Sequence, residues 1–326
     1  MIAWVDDKIF ALGEVRDVDR LVLLRNAERR RHTLIVSRDP DEAYGERNAP
    51  LFKEWLKGLQ TELHDEVSML CERLDLLSAN AVTRGANRIL VTNGPSPQAD
   101  GCHVTLPEAI RTVSLPLQLL VEHMVHDAAF LRRVLPPVWR NQLDEWERGG
   151  LLSFENGGGN TVITAMVRHF TDDGFARSAT GLPAEIWRLV HFVIYDHDGT
   201  RRQSPGDNAK KLKRACKDRD MESRSHMLER RDQEHYLPPE ALRKVFELCY
   251  EDQPVRAKNE LELNDYLALP LGERSFKALP KAGREAFCKN AFFNRQTEFV
   301  WLDAWFEDDG AWPEMTRLAE AIAAAI

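Results

Sequence analysis

The chain has 326 residues, 43% of them hydrophobic and 29% charged, with 44 Lys and Arg against 52 Asp and Glu. That length accommodates two or three domains and a sizeable core. The net charge of −8 excludes a uniformly basic nucleic-acid coat but leaves room for a local basic groove.

The longest apolar runs fall far short of the roughly 20 residues of a membrane span. The acidic start MIAWVDDKIF lacks the zones of a signal peptide. Five dispersed cysteines (Cys71, Cys102, Cys216, Cys249, Cys288) contain no CxxC pair and read as reduced thiols, neither a disulfide frame nor a zinc site. The expectation is a cytoplasmic protein without membrane association.

In chain order, residues 1 to about 110 alternate strand-like and helical pieces. TLIVS (33–37) and RILVT (88–92) are β-branched runs. Between them Pro50 opens an amphipathic stretch with Phe52, Trp55, Leu56, Leu59, Leu63, Val67, Leu70, Leu74 and Leu77 at helical spacing. NGPSPQADG (93–101) reads as a linker or surface loop. LPLQLLVE (115–122) is a continuous apolar run, as expected of a strand covered on both faces. Helical pattern follows over 126–135. A short run at 151–154 then leads into ENGGGN and a helix over about 160–170. VHFVIYD (190–196) is a second buried strand, and a basic helix spans about 207–219. From Pro239 the chain is helical in character. Strands alternating with helices imply βαβ units and a mainly parallel sheet.

Three features fall at the carboxyl ends of successive strands. Glu122 closes LPLQLLVE, Gly157, Gly158 and Gly159 follow SFEN with Asn160 next, and Asp196 and Asp198 follow VIY. Open α/β sheets bind ligands in the crevice outside those strand ends, so the three are expected to converge. Carboxylates from separate strands suit a hard divalent ion, Mg²⁺ or Mn²⁺, which takes oxygen ligands and keeps several waters. Glycines let backbone approach a phosphate and leave N–H groups free at the next helix start. Each feature alone has a blander reading, as a solvated turn, a loop or a cap.

Together, LLVEHMVHDAAFLRRVL, FENGGGNTV, FVIYDHDG and LERRDQEHYLP resemble the Toprim domain, in the branch found in overcoming-lysogenization-defect nucleases and related bacterial anti-phage proteins. The resemblance covers about residues 113–240. It implies a general acid/base or metal-ligand role for Glu122, Mg²⁺ ligation by Asp196 and Asp198, and supporting roles for Glu229 and Glu234. Two departures stand out: His123 replaces the family's Gly, and His126 occupies the place of an Asp, with Asp127 one position later, so either Asp127 substitutes as a metal ligand beside Glu229 and Glu234 or that position is lost. A GxxxxGK[ST] motif is absent, so the ATPase that accompanies many relatives would be a separate partner.

Eight Lys and Arg lie in 201–219 (Arg201, Arg202, Lys210, Lys211, Lys213, Arg214, Lys217, Arg219) against Asp207 and Asp218. Beside a metal site these become phosphate-backbone contacts; alone they are a solvated helix face. His123, His126, His197, His226 and His235 surround the same motifs without the spacing of a zinc site. Trp301, Trp305 and Trp312, with Phe299 and Phe306, read as core or a partner interface ahead of a base-stacking platform, because Asp303, Glu307, Asp308 and Asp309 flank them, and the C-terminal region is expected to dock another protein or a second copy of the chain.

The expectation is an α/β protein with an N-terminal α/β domain (1–112), a Toprim-like domain with a mainly parallel sheet and flanking helices (113–240), and a helical C-terminal region (241–326). Its function would be metal-dependent cleavage of nucleic-acid phosphodiester bonds in an anti-phage system, with an ATPase partner and possible homo-oligomers. The alternative is a degenerate, non-cleaving Toprim that binds or senses within a complex.

Overall fold

The computed structural model describes residues 1–13, 15–37, 49–79, 88–93, 102–199, 204–231, 233–243, 253–269 and 302–326. It is an α/β protein with two four-stranded sheets, both all-parallel. In the first sheet, β1 (Ile2–Asp6), β2 (Thr33–Ser37), β3 (Arg88–Val91) and β4 (Cys102–Val104) lie in the order β2-β1-β3-β4. In the second, β5 (Leu117–Val121), β6 (Leu152–Asn156), β7 (His191–Tyr195) and β8 (Ser225–Met227) lie in the order β6-β5-β7-β8.

The helices are α1 (Asp17–Arg29), α2 (Pro50–Gly58), α3 (Thr61–Ala79), α4 (Leu106–Ser114), α5 (Met124–Val134), α6 (Pro137–Arg148), α7 (Asn160–Phe170), α8 (Asp173–Thr180), α9 (Ala184–Val190) and α10 (Asp207–Asp218). Three more, α11 (Gln253–Ala268), α12 (Asp303–Asp308) and α13 (Trp312–Ala325), complete the described set. The stretch opened by Pro50 is two helices, because Leu59 takes extended geometry (φ −70°, ψ 149°) directly after Gly58. Its apolar residues still face one core: Trp55 on α2 and Val67, Leu70 and Leu74 on α3 are buried together.

Alternation along the central strands sorts the second sheet's side chains into two layers. Leu119, Val121, Phe192 and Ile194 pack with α5 and with Met315, Leu318 and Ile322 of α13. Leu120, Val193 and Tyr195 pack with Ile163 and Val167 of α7 and Leu212 of α10. The C-terminal helices are therefore part of this core, and Phe306 is buried in it with Trp312 packed alongside. Core packing accounts for these two aromatics and Trp305 is half-buried, whereas Phe299 and Trp301 lie outside the described residues. No helix among the described residues is long and apolar enough to cross a membrane.

Candidate active site

Parallel register sets the site. Val121 pairs with Asn156, and Leu120 pairs with Val193, so Glu122, Gly157 and Asp196 leave the sheet at neighbouring points on one edge. The turn after β6 then folds onto β5: the Gly157 N–H donates to Val121 O (2.6 Å) and the Gly158 N–H to Glu122 O (3.0 Å). Position 157 has no room for a side chain, since a Cβ there would meet Ile163 Cγ1 at 2.3 Å and Val121 O at 2.9 Å. Gly159, at φ +99°, turns the chain into α7 from a backbone region that L residues rarely occupy.

Asn160, the first residue of α7, joins the elements. Its backbone N–H donates to Glu122 Oε1 (3.0 Å), and its Nδ2 donates to Asp198 Oδ2 (2.8 Å) and Asp196 O (3.2 Å). A carboxylate at a helix N-terminus is favoured by both the unpaired N–H groups and the helix dipole. Glu122, the glycine turn, Asn160 and the Asp196–Asp198 loop are thus brought together.

Asp198 is in left-handed geometry (φ 56°), which is uncommon for a non-glycine residue. Neighbours hold it there. Its N–H donates to Arg231 O (2.8 Å), Gly206 N–H donates to His197 O (2.9 Å), and a Cβ on Gly206 would come within 2.7 Å of Asp198 Cβ.

Asp127 lines one small cleft with Glu122 and Asp196. Its oxygens are engaged: Oδ2 accepts from the His123 N–H (3.0 Å) and Oδ1 from Gln233 Nε2. Burial pushes its carboxyl above the usual range, against the pull of those hydrogen bonds. It ties the start of α5 to the 3-10 turn Gln233–Tyr236. Glu229 sits elsewhere, paired with Arg317 on the wall of a second cavity. The side chain of Glu234 lies outside the described residues, as do Arg201 and Arg202.

Lys210, Lys211, Lys213 and Arg214 are exposed on α10, whose opposite face buries Ala209, Leu212, Ala215 and Cys216. This helix runs beside α7 and follows Gly206, which abuts Asp198. His123 and His126 lie together at the start of α5, with ring centroids 4.1 Å apart and ring planes tilted by 42°. His226 binds Glu314 (3.0 Å), and His197 and His235 line the second cavity.

Among the described residues, no group of three or more His, Cys, Asp or Glu side chains is gathered closely enough to hold a metal ion. The donor chemistry nevertheless suits a hard cation. Glu122, Asp196 and Asp198 offer only oxygen, and Asn160 Oδ1 between them is buried without a hydrogen-bond partner. Burial pushes the Cys102 thiol up to about 12 and that of Cys216 to about 11, which disfavours the thiolate form of both.

The bridging role of Asn160 was not readable beforehand, because it depends on the left-handed turn at Asp198. Nor were Asp309, Glu314 and Arg317 of the C-terminal helices, which carry no motif. No family model, curated protein or solved structure matches this chain.

Proposed function

We propose that this cluster is the active centre of a metal-dependent nuclease of the Toprim type, cleaving phosphodiester bonds of nucleic acid. The observation that carries the reading is Asn160, which binds Glu122 through its N–H and Asp198 through its side chain. Three segments far apart in sequence are held by one residue at the carboxyl edge of a parallel sheet, where α/β sheets bind ligands.

Glu122, Asp196 and Asp198 would hold Mg²⁺ or Mn²⁺. When bound, such an ion polarises a phosphoryl oxygen and lowers the pKa of water. Glu122, oriented by the start of α7, is placed to exchange a proton with the attacking water or the leaving oxygen. The turn through Gly157, Gly158 and Gly159 lets a phosphate approach the backbone of Asn160 closely. Lys210, Lys211, Lys213 and Arg214 would follow the strand's phosphates, giving affinity without base preference. On the same reading, activity is coupled to a separate ATPase in an anti-phage assembly.

One observation favours a non-cleaving alternative. Asp127, next to the place where the Toprim pattern has an acid, is taken up by the His123 N–H and Gln233. The full chain incubated with single- and double-stranded DNA and RNA, with Mg²⁺ or with a chelator, separates the two. Cleavage that needs the ion and falls roughly 10²–10³-fold in Glu122→Gln and Asp198→Ala is expected, the scale of losing one placed charge or donor. Cleavage that survives the chelator or those substitutions in folded protein overturns the proposal, and tight binding without cleavage selects the alternative.

A further inference from the structure

Asn160 is 4% exposed, and the two ends of its carboxamide have different fates. Nδ2 donates to Asp198 Oδ2 (2.8 Å) and Asp196 O (3.2 Å), whereas Oδ1 is buried without a hydrogen-bond partner. Exchanging the two atoms would set an acceptor against two acceptors, so these bonds fix which end is oxygen. Among the described residues, the other buried side-chain atoms without a partner are nitrogens of His, Arg and Trp, and Asn160 Oδ1 is the one oxygen. Buried polar atoms are rarely left unmatched, and an exception points to a catalytic role, a water or an ion.

The surroundings decide what can match this atom. Oδ1 shares a carbon with the Nδ2 that touches Asp198, and the backbone N–H of the same residue holds Glu122 Oε1 (3.0 Å). An amide oxygen only accepts, and an ionised carboxylate has no hydrogen to give. A hard cation satisfies all of these oxygens at once, and carbonyl oxygens are among its ordinary ligands. Charge argues the same way. Three carboxylates already exceed the two charges of the ion, and a carbonyl adds a bond without adding repulsion.

The side chain is also held in place before any ion arrives. The Gly157 N–H on Val121 O and the Gly158 N–H on Glu122 O fix the turn that leads into Asn160, and Nδ2 fixes the plane of the carboxamide. Ligands set in advance by such supports lose little freedom on binding.

We propose that Asn160 Oδ1 is a direct ligand of the divalent ion, beside Glu122, Asp196 and Asp198. The inference rests on the metal-dependent reading of this site. It gives the glycine turn a second task, which is to deliver a metal ligand as well as to admit a phosphate.

The test reads metal binding, without nucleic acid or turnover. The full chain is titrated with Mn²⁺, and the free ion is followed by electron paramagnetic resonance. One equivalent should bind to wild type and be lost in Asp198→Ala. Asn160→Ala should weaken it roughly tenfold or more, since even an outer-shell partner is worth that much. Asn156→Ala, at the exposed end of β6, should match wild type. Affinity alone does not separate a ligand from a residue that positions Asp198, so the second readout is direct. In Mn²⁺-loaded wild type labelled with carbon-13 at the asparagine side-chain carbonyls, electron–nuclear double resonance should show a carbon coupled to the ion through a bound oxygen. The same signal should persist in Asn156→Ala. This measurement needs only the wild-type fold, so it decides the matter should Asn160→Ala misfold. Mn²⁺ bound through Asp198 without an asparagine carbon signal, or with wild-type affinity in Asn160→Ala, overturns the inference and leaves the nuclease reading standing. A signal lost in Asn156→Ala also overturns it. A chain that binds no Mn²⁺ overturns both.

Discussion

Asp7 and Glu122 stand at equivalent places in two sheets of the same strand order. Each directly follows the last residue of a central strand, β1 or β5, and each caps the helix that follows the neighbouring strand, β2 or β6. Asp7 receives the Leu51 N–H (3.0 Å) and the Phe52 N–H (2.8 Å) at the start of α2, one on each oxygen, and is 1% exposed. Glu122 receives the Asn160 N–H on Oε1, is half-buried, and borders a cleft. The helix-start residue differs as well. Pro50 and Leu51 carry no polar side chain, whereas Asn160 reaches a second strand end and gathers Asp198. The same capping device is therefore structural in the first sheet and, on the proposed function, a platform for chemistry in the second.

The largest expected effect follows from that difference. Asn160→Ala keeps the backbone N–H to Glu122 but removes both side-chain hydrogen bonds, so nuclease activity should fall roughly 10²–10³-fold with little change in melting temperature. Unchanged activity would reduce Asn160 to a helix-start residue. Asp7→Ala should do the reverse, costing about 2–3 kcal/mol of stability by leaving two N–H groups at the α2 start without their charged acceptor. Chemical denaturation reads the loss, and activity per folded molecule should match wild type. A neutral Asp7→Ala would break the parallel between the two carboxylates.

Much of this was legible because parallel sheets align carboxyl ends. Once TLIVS, RILVT, LPLQLLVE and VHFVIYD are read as strands, the residues after them must share an edge, so Glu122, the glycine run and the Asp196–Asp198 pair were expected together. Short strands escaped. β4 is three residues in a Pro- and Gly-rich stretch, and β8 (Ser225–Met227) is a half-buried edge strand whose polar residues give no alternation. Glu229 looked like a supporting acid from its motif. The backbone after β8 instead offers Arg231 O to Asp198 and turns the Glu229 side chain to Arg317. Backbone direction over three residues decides which cavity a side chain enters, and composition does not encode it.

A smaller effect tests the close approach of the β6 turn to β5 that builds the Glu122 site. Gly157→Ala would put a methyl against Ile163 and the Val121 carbonyl. The isoleucine can shift, but the carbonyl belongs to a central strand. The expected cost is about 1–3 kcal/mol, typical of overpacking, with activity falling further than stability because the turn carries Asn160. Gly159→Ala meets no atoms within 4 Å and is strained only through its φ of +99°. Equal behaviour of the two variants would show that backbone conformation, and not the β5–β6 approach, governs the turn.

The smallest effect near neutrality concerns the seam where the two sheets' units meet. His32, just before β2, is 8% exposed, and it borders a small space with Leu115, Leu117, Leu151 and Val190 from the second unit. Burial, with the Met1 amino group and the Arg30 guanidinium adding to it, pushes its imidazole down to about 3. A histidine whose folded pKa lies below its unfolded value of 6.5 contributes stability above pH 6.5. That contribution is lost as pH falls towards 3, because the unfolded chain binds the proton first. Between pH 6.5 and 5.5 the linkage amounts to about 1 kcal/mol. Urea denaturation at those two pH values should show wild type losing that increment and His32→Leu losing about 1 kcal/mol less. A His32→Leu variant with the wild-type pH slope would place the acid sensitivity elsewhere, and would mean that the seam opens enough to hydrate the ring.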